Sequence, residues 1–136
     1  MAATVTLKGT IDKCAITGNS GGSTATYLGF NTGPNGWTGS PGDQLRAIRI
    51  AVGATGNIIV KIDKSFGLLD MQIFQEDAYQ GSSAPANYQR YYNIAKAGKD
   101  KGAVGITVTN AAKTFILLLK FDTYAGATYS GSIAIP

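Results

Sequence analysis

A chain of 136 residues, 44% hydrophobic, is long enough for one domain with its own core, yet only 15% of it is charged where about 25% is usual for soluble domains. Its net charge of +4, from 12 basic and 8 acidic residues, is scattered along the chain, which argues against specific nucleic-acid binding. The absence of histidine and the single cysteine remove Ser-His-Asp and Cys-His catalysis, an intrachain disulfide and cysteine-based structural zinc.

The opening MAATVTLKGTIDK lacks the apolar centre of a secretory signal, so the chain is expected to be soluble as made, unless Met1 replaces a removed signal. The first predicted strand is Thr4 to Lys8, where Val5 and Leu7 alternate with Thr4, Thr6 and Lys8. A second covers Thr10 to Thr17 and holds Cys14, read as a small buried apolar side chain, with a crosslink between subunits as the other reading. The turn GNSGG follows, then a strand over Ser23 to Phe30.

The next segment, Asn31 to Asp43, places the only tryptophan, Trp37, inside a run of glycine and proline. Beyond it, Gln44 to Val52 puts Ile48, Ile50 and Val52 on one face, and Gly56 to Asp63 puts Ile58, Val60 and Ile62 on one face. With GATG between them, these two strands are expected to form a hairpin. Leu69, Met71 and Ile73 are expected to face inward, opposite Asp70, Gln72 and Phe74.

Glu76 to Lys101 is the least regular stretch, with the loop QGSSAPA, the segment NYQRYYNIA, and the group Lys96, Lys99 and Lys101, read as a solvated loop. Val104, Ile106 and Val108 then alternate with Gly105, Thr107 and Thr109. Thr114 to Asp122 is apolar on both faces, as a central strand covered from each side would be, although its longest large-apolar run is far too short for a bilayer span. The final strand has Tyr129, Ile133 and Ile135 inside and Thr128, Ser130 and Ser132 outside. Turn residues recur about every eight to twelve positions, and the whole reads as one all-β domain over residues 1–136: a two-sheet antiparallel sandwich of jelly-roll type with 8–10 strands.

No motif supports catalysis. Glu76 and Asp77 are neighbours that would point to opposite faces of an extended strand, and Asp63 and Asp70 are expected to be solvated near strand ends. GNSGG and GATGN lack the Lys-Ser/Thr pair of a phosphate-binding loop. The aromatic residues remain. In YQRYY, Tyr88, Arg90 and Tyr92 would share one strand face with Gln89 and Tyr91 opposite, which suits a protein interface or a stacking platform, or the rim of the core with Arg90 reaching past. Tyr79, Tyr91 and Tyr124 adjoin loops and are expected to be exposed. Trp37 has three readings: a plug over one end of the sandwich, an anchor inserted into a neighbouring subunit, or a platform for a sugar ring.

Three stretches, LRAIRIAVGATGNIIVKID, GLLDMQIFQED and KTFILLLKFDTYAGATYSGSIAI, together resemble the bacterial pre-peptidase C-terminal and collagen-binding type of β-sandwich. The resemblance covers about two-thirds of the chain, from Gln44 onward, and rests on general strand patterns. It implies a noncatalytic module carried by secreted enzymes, sometimes with calcium sites. The N-terminal part here lacks the acidic cluster that a calcium site needs, so no metal or other cofactor is expected.

The function expected from these features is a noncatalytic structural subunit. It would assemble with itself or dock onto a lattice, as a virion decoration or tail protein or as a filament subunit at a cell surface. The residues expected at the interface are Trp37, Tyr88, Arg90, Tyr91 and Tyr92, with the first strand around Val5 and Leu7. The alternative is a carbohydrate-binding sandwich that uses exposed Trp and Tyr platforms.

Overall fold

The computed structural model describes residues 2–30, 44–78, 88–91, 94, 101–122 and 126–136. Among them run ten strands: β1 (Ala3–Thr10), β2 (Cys14–Thr17), β3 (Thr24–Phe30), β4 (Gln44–Ala51), β5 (Gly56–Phe66), β6 (Leu68–Gln75), β7 (Tyr88–Tyr91), β8 (Gly102–Val108), β9 (Thr114–Phe121) and β10 (Thr128–Ile135). A 3-10 turn, Glu76–Ala78, follows β6. The second strand is shorter than the sequence suggests, because Thr10 to Lys13 closes a turn in which the Thr10 N–H donates to the Lys13 carbonyl at 2.8 Å.

The strands form two five-stranded antiparallel sheets, β2-β1-β10-β5-β8 and β3-β4-β9-β6-β7. Four pairs are nested along the chain: β6 with β7, β5 with β8, β4 with β9, and β1 with β10. This is the wrapping of a jelly roll, with β2 and β3 adding one strand to each sheet beside β1 and β4.

That wrapping overturns the expected hairpin. β4 belongs to one sheet and β5 to the other, so GATG carries the chain across the core instead of doubling it back within a sheet. The alternation of Ile48, Ile50 and Val52 with Ile58, Val60 and Ile62 is the same in both cases, since inward-facing residues can meet from opposite sheets. Hydrogen bonds hold the crossing: the Gly53 N–H reaches the Pro136 main-chain oxygen (3.1 Å) and Ser23 Oγ (3.2 Å), and the buried Ser23 hydroxyl donates to the same Pro136 oxygen at 2.7 Å. The next crossing takes one residue. Gly67, between β5 and β6, has φ of 78°, a conformation that side chains with a Cβ rarely adopt.

Period-two alternation puts Val5, Leu7, Ile48, Ile50, Ile58, Val60, Ile73, Leu117 and Ile133 inside at 0% exposure. Each fully buried side chain of this size contributes roughly 1.5–3 kcal/mol. β9, central in its sheet, therefore matters most. Phe115, Leu117, Leu119 and Phe121 enter the main core, while Ile116 and Leu118 join Ala47 and Phe74 in a second apolar cluster on the outer face.

β6 departs from simple alternation. Its pairing with β9 shifts register between Leu68 and Asp70, so Leu68 enters the core and Leu69 stays half-buried, where Leu69 was expected inside. Asp70 is correspondingly buried rather than solvated, opposite Lys120 in the ladder.

Candidate functional site

The two faces of the sandwich differ. The second sheet buries a small apolar cluster, Ala47, Phe74, Ile116 and Leu118, on its outer side as well, whereas the first shows its outer face to solvent with Thr4, Thr6, Lys8 and Thr10 on β1 and Lys61 and Lys64 on β5. A register shift between Ser130 and Gly131 accommodates an extra residue in β5, so Asp63 and Lys64 are both exposed and Ser65 turns inward. Lys8, Ser130 and Lys64 fall side by side across β1, β10 and β5. They border a surface cavity of about 390 Å³ that Lys13, Thr10 and Thr128 also line.

The four sheet edges differ more. Two are only four residues long, β2 and β7. The β3 edge is blunted twice. The Asn19 amide takes both main-chain groups of Ala25, accepting from its N–H at 2.9 Å and donating to its carbonyl at 3.2 Å, and the β3–β4 register shifts between Tyr27 and Gly29. Among the described residues the β8 edge has none of these devices.

β8 is seven residues long, GAVGITV, with no charge and no proline, and it pairs with β5 without a register shift. Among the described residues no hydrogen bond reaches its other side. A row of main-chain donors and acceptors on a straight strand is a template for one more strand. Val104, Ile106 and Val108 point into the core, and Ala103, Gly105 and Thr107 outward.

Protein-family models and curated proteins were both searched, and none matches this chain.

Several described charged groups hold main-chain groups or one another. Arg46, 5% exposed, lies on the core side of β4 and donates to the carbonyls of Ile11 (2.6 Å) and Leu45 (3.0 Å), to Asp12 (3.2 Å) and to Gln44 (3.1 Å). Glu76 and Asp77 sit in the 3-10 turn, not in an extended strand, and each takes its own cation. Glu76 receives Arg49 through two 2.9 Å bonds and the Thr114 hydroxyl at 2.8 Å, while Asp77 meets Lys113. Hydrogen bonding from Arg49 holds the Glu76 carboxyl below its usual range, the opposite of what a general acid needs. Burial pushes the Cys14 thiol up, and the half-buried Cys14 packs against the main core. Among the described residues no cluster of three or more His, Cys, Asp or Glu could hold a metal.

The residues named from sequence are dispersed. Val5 and Leu7 are fully buried, and β1 lies between β2 and β10, so neither side chain offers any surface for an interface. Tyr88 and Tyr91 are on opposite faces of β7, as the alternation implied. Tyr88 packs against the outer cluster, and Tyr91, expected to be exposed, is half-buried against the main core. Arg90 stands opposite Gln72 in the ladder. Trp37, Tyr79, Tyr92 and Tyr124 lie outside the described residues. Sequence reasoning passed over two features. Arg46 shares the parity of Ile48 and Ile50, a visible signal of burial, but nothing local in GAVGITV says that β8 ends a sheet.

Proposed function

We propose that this chain is a noncatalytic structural subunit that assembles with itself or docks onto a lattice, as a virion decoration or tail protein or as a filament subunit outside the cell. The observation that carries this reading is the β8 edge: seven uncharged residues, regular, with no hydrogen bond to their outward main-chain groups among the described residues. Soluble sandwiches ordinarily blunt such an edge, and this chain blunts its other three by shortness, a bulge or a capping amide. Low overall charge supports it further, because a surface of Gly, Ser, Thr and Ala is easily desolvated against another. Light scattering on the purified protein, with negative-stain images of the same sample, tests it. Species larger than one chain are expected, and a monomer at every concentration would sink the self-assembling form.

A second reading, a carbohydrate-binding module, is supported by the cavity bordered by Lys8, Lys13, Lys64 and Ser130, whose ammonium and hydroxyl groups suit acidic or polyhydroxylated sugars. A glycan array that includes uronic and sulfated polymers is its test, and no binding across the array removes it.

A further inference from the structure

We infer that β8 pairs antiparallel with the β8 of a second copy, about a two-fold axis at Gly105. The inference rests on the assembly reading above and names its partner and register.

In an antiparallel pair of identical strands, residues opposite one another must lie on the same face of the joined sheet. Their numbers therefore sum to an even value, and the middle residue meets itself. Centred on Gly105, the pairing sets Gly102 opposite Val108, Ala103 opposite Thr107, and Val104 opposite Ile106, which uses every residue of β8 and none outside it. Val104, Ile106 and Val108 of both copies then line the core side, and Ala103, Gly105 and Thr107 the outer side. A slip by one residue would turn those faces over.

The strand is also self-compatible in charge. No charged residue falls within the register, and Lys101, just before it, comes opposite Thr109 instead of another lysine. Small outer side chains at Ala103 and Gly105 let the two edges approach. The other edges of the fold match β8 poorly, since β2 and β7 are too short to pair its length and Asn19 already occupies β3. Joined this way, two five-stranded sheets become one continuous sheet of ten strands across the dimer.

The test uses the register itself. Ala103→Lys with Thr107→Lys sets lysine opposite lysine across the axis, whereas Ala103→Lys with Thr107→Glu sets lysine opposite glutamate. Light scattering over a concentration series is expected to show association weakened at least tenfold in the first variant and kept in the second, with circular dichroism confirming that both fold. Gly105→Cys in a Cys14→Ala background supplies an independent readout, because a Cβ at Gly105 meets nothing closer than the Ile58 carbonyl at 3.4 Å. Under a mild added oxidant, copper-phenanthroline, the paired thiols at 105 are expected to form an intersubunit disulfide. Equal association of the two double variants, or no crosslink while the wild-type protein assembles, overturns the β8 pairing and leaves the assembly reading standing. A strictly monomeric wild type overturns both.

Discussion

Arg46 Nε donates to the carbonyl of Ile11 at 2.6 Å and so ties β4 of one sheet to the turn that follows β1 in the other. It also donates to Leu45, Gln44 and Asp12, and Asp12 is 76% exposed at its side chain. Arg46→Ala leaves buried carbonyls without donors and is expected to lower stability by about 3 kcal/mol in urea unfolding. Asp12→Asn, which removes only a solvent-screened partner, should cost under about 1 kcal/mol. Equal losses in the two variants would show that the ion pair, and not the carbonyl bonds, is what matters.

Tyr129 makes the reverse case. Its hydroxyl is buried with no hydrogen-bond partner among the described residues, although the Cys14 thiol lies beside it, and burial pushes the phenol far above its ordinary range. Tyr129→Phe removes an unsatisfied polar group while keeping the ring against Phe121, so stability should hold or rise by about 1 kcal/mol. A loss of that size in thermal melts would mean that the thiol is a real partner.

The Glu76 carboxyl is held below its usual range, first by hydrogen bonding from Arg49 and also by Thr114. Protonation is thus harder in the folded state than in the unfolded chain, where the carboxyl titrates near pH 4.3. Its contribution to stability is complete above that pH and is lost as pH falls through the lower folded-state value. Glu76→Gln should therefore be less stable than wild type at neutral pH and converge with it in strong acid, which urea midpoints measured from pH 7 down to pH 2 will show.

Two glycines of the first sheet should respond oppositely to alanine. A Cβ on Gly131 would sit 2.0 Å from the Lys61 carbonyl oxygen, in the bulged β10–β5 pairing, and backbone cannot yield cheaply there. Gly131→Ala is expected to cost about 3 kcal/mol or more, and Gly105→Ala to change stability by no more than about 0.5 kcal/mol, as read from denaturation midpoints.

Leu7 separates core from interface. Truncation of this fully buried side chain to alanine should cost about 2–5 kcal/mol while leaving the mass of the assembled, still-folded protein unchanged. If Leu7→Ala disperses the assembly without loss of stability, β1 has a surface role that its burial does not suggest.

Much of the fold was legible residue by residue. The faces of β1, β4, β5, β8 and β10, and the double-sided burial of β9, follow from side-chain parity and composition. The errors came where a local irregularity broke that parity: the shift at Leu68 that buries Asp70, and the 3-10 turn that takes Glu76 and Asp77 out of an extended strand. The candidate site was far less legible. Val5 and Leu7, expected at an interface through strand pairing, lie on a strand that β2 and β10 flank. The β8 edge carries no motif, since a strand at the border of a sheet can have the same sequence pattern as one inside it.

Alternation with period two is a property of neighbouring residues, so where it ran unbroken the sequence alone determined which side chains face the core, and that the protein is a sandwich of strands. Hydrogen bonding between strands is a property of partners far apart in the chain. Only the tertiary structure decided that β4 crosses to the opposite sheet from β5, that β5 pairs with β8 and β10, and that β8 ends its sheet. Inward-facing residues satisfy the same burial whether two strands lie side by side or face each other across the core, and only the wrapping of the whole chain chooses between them.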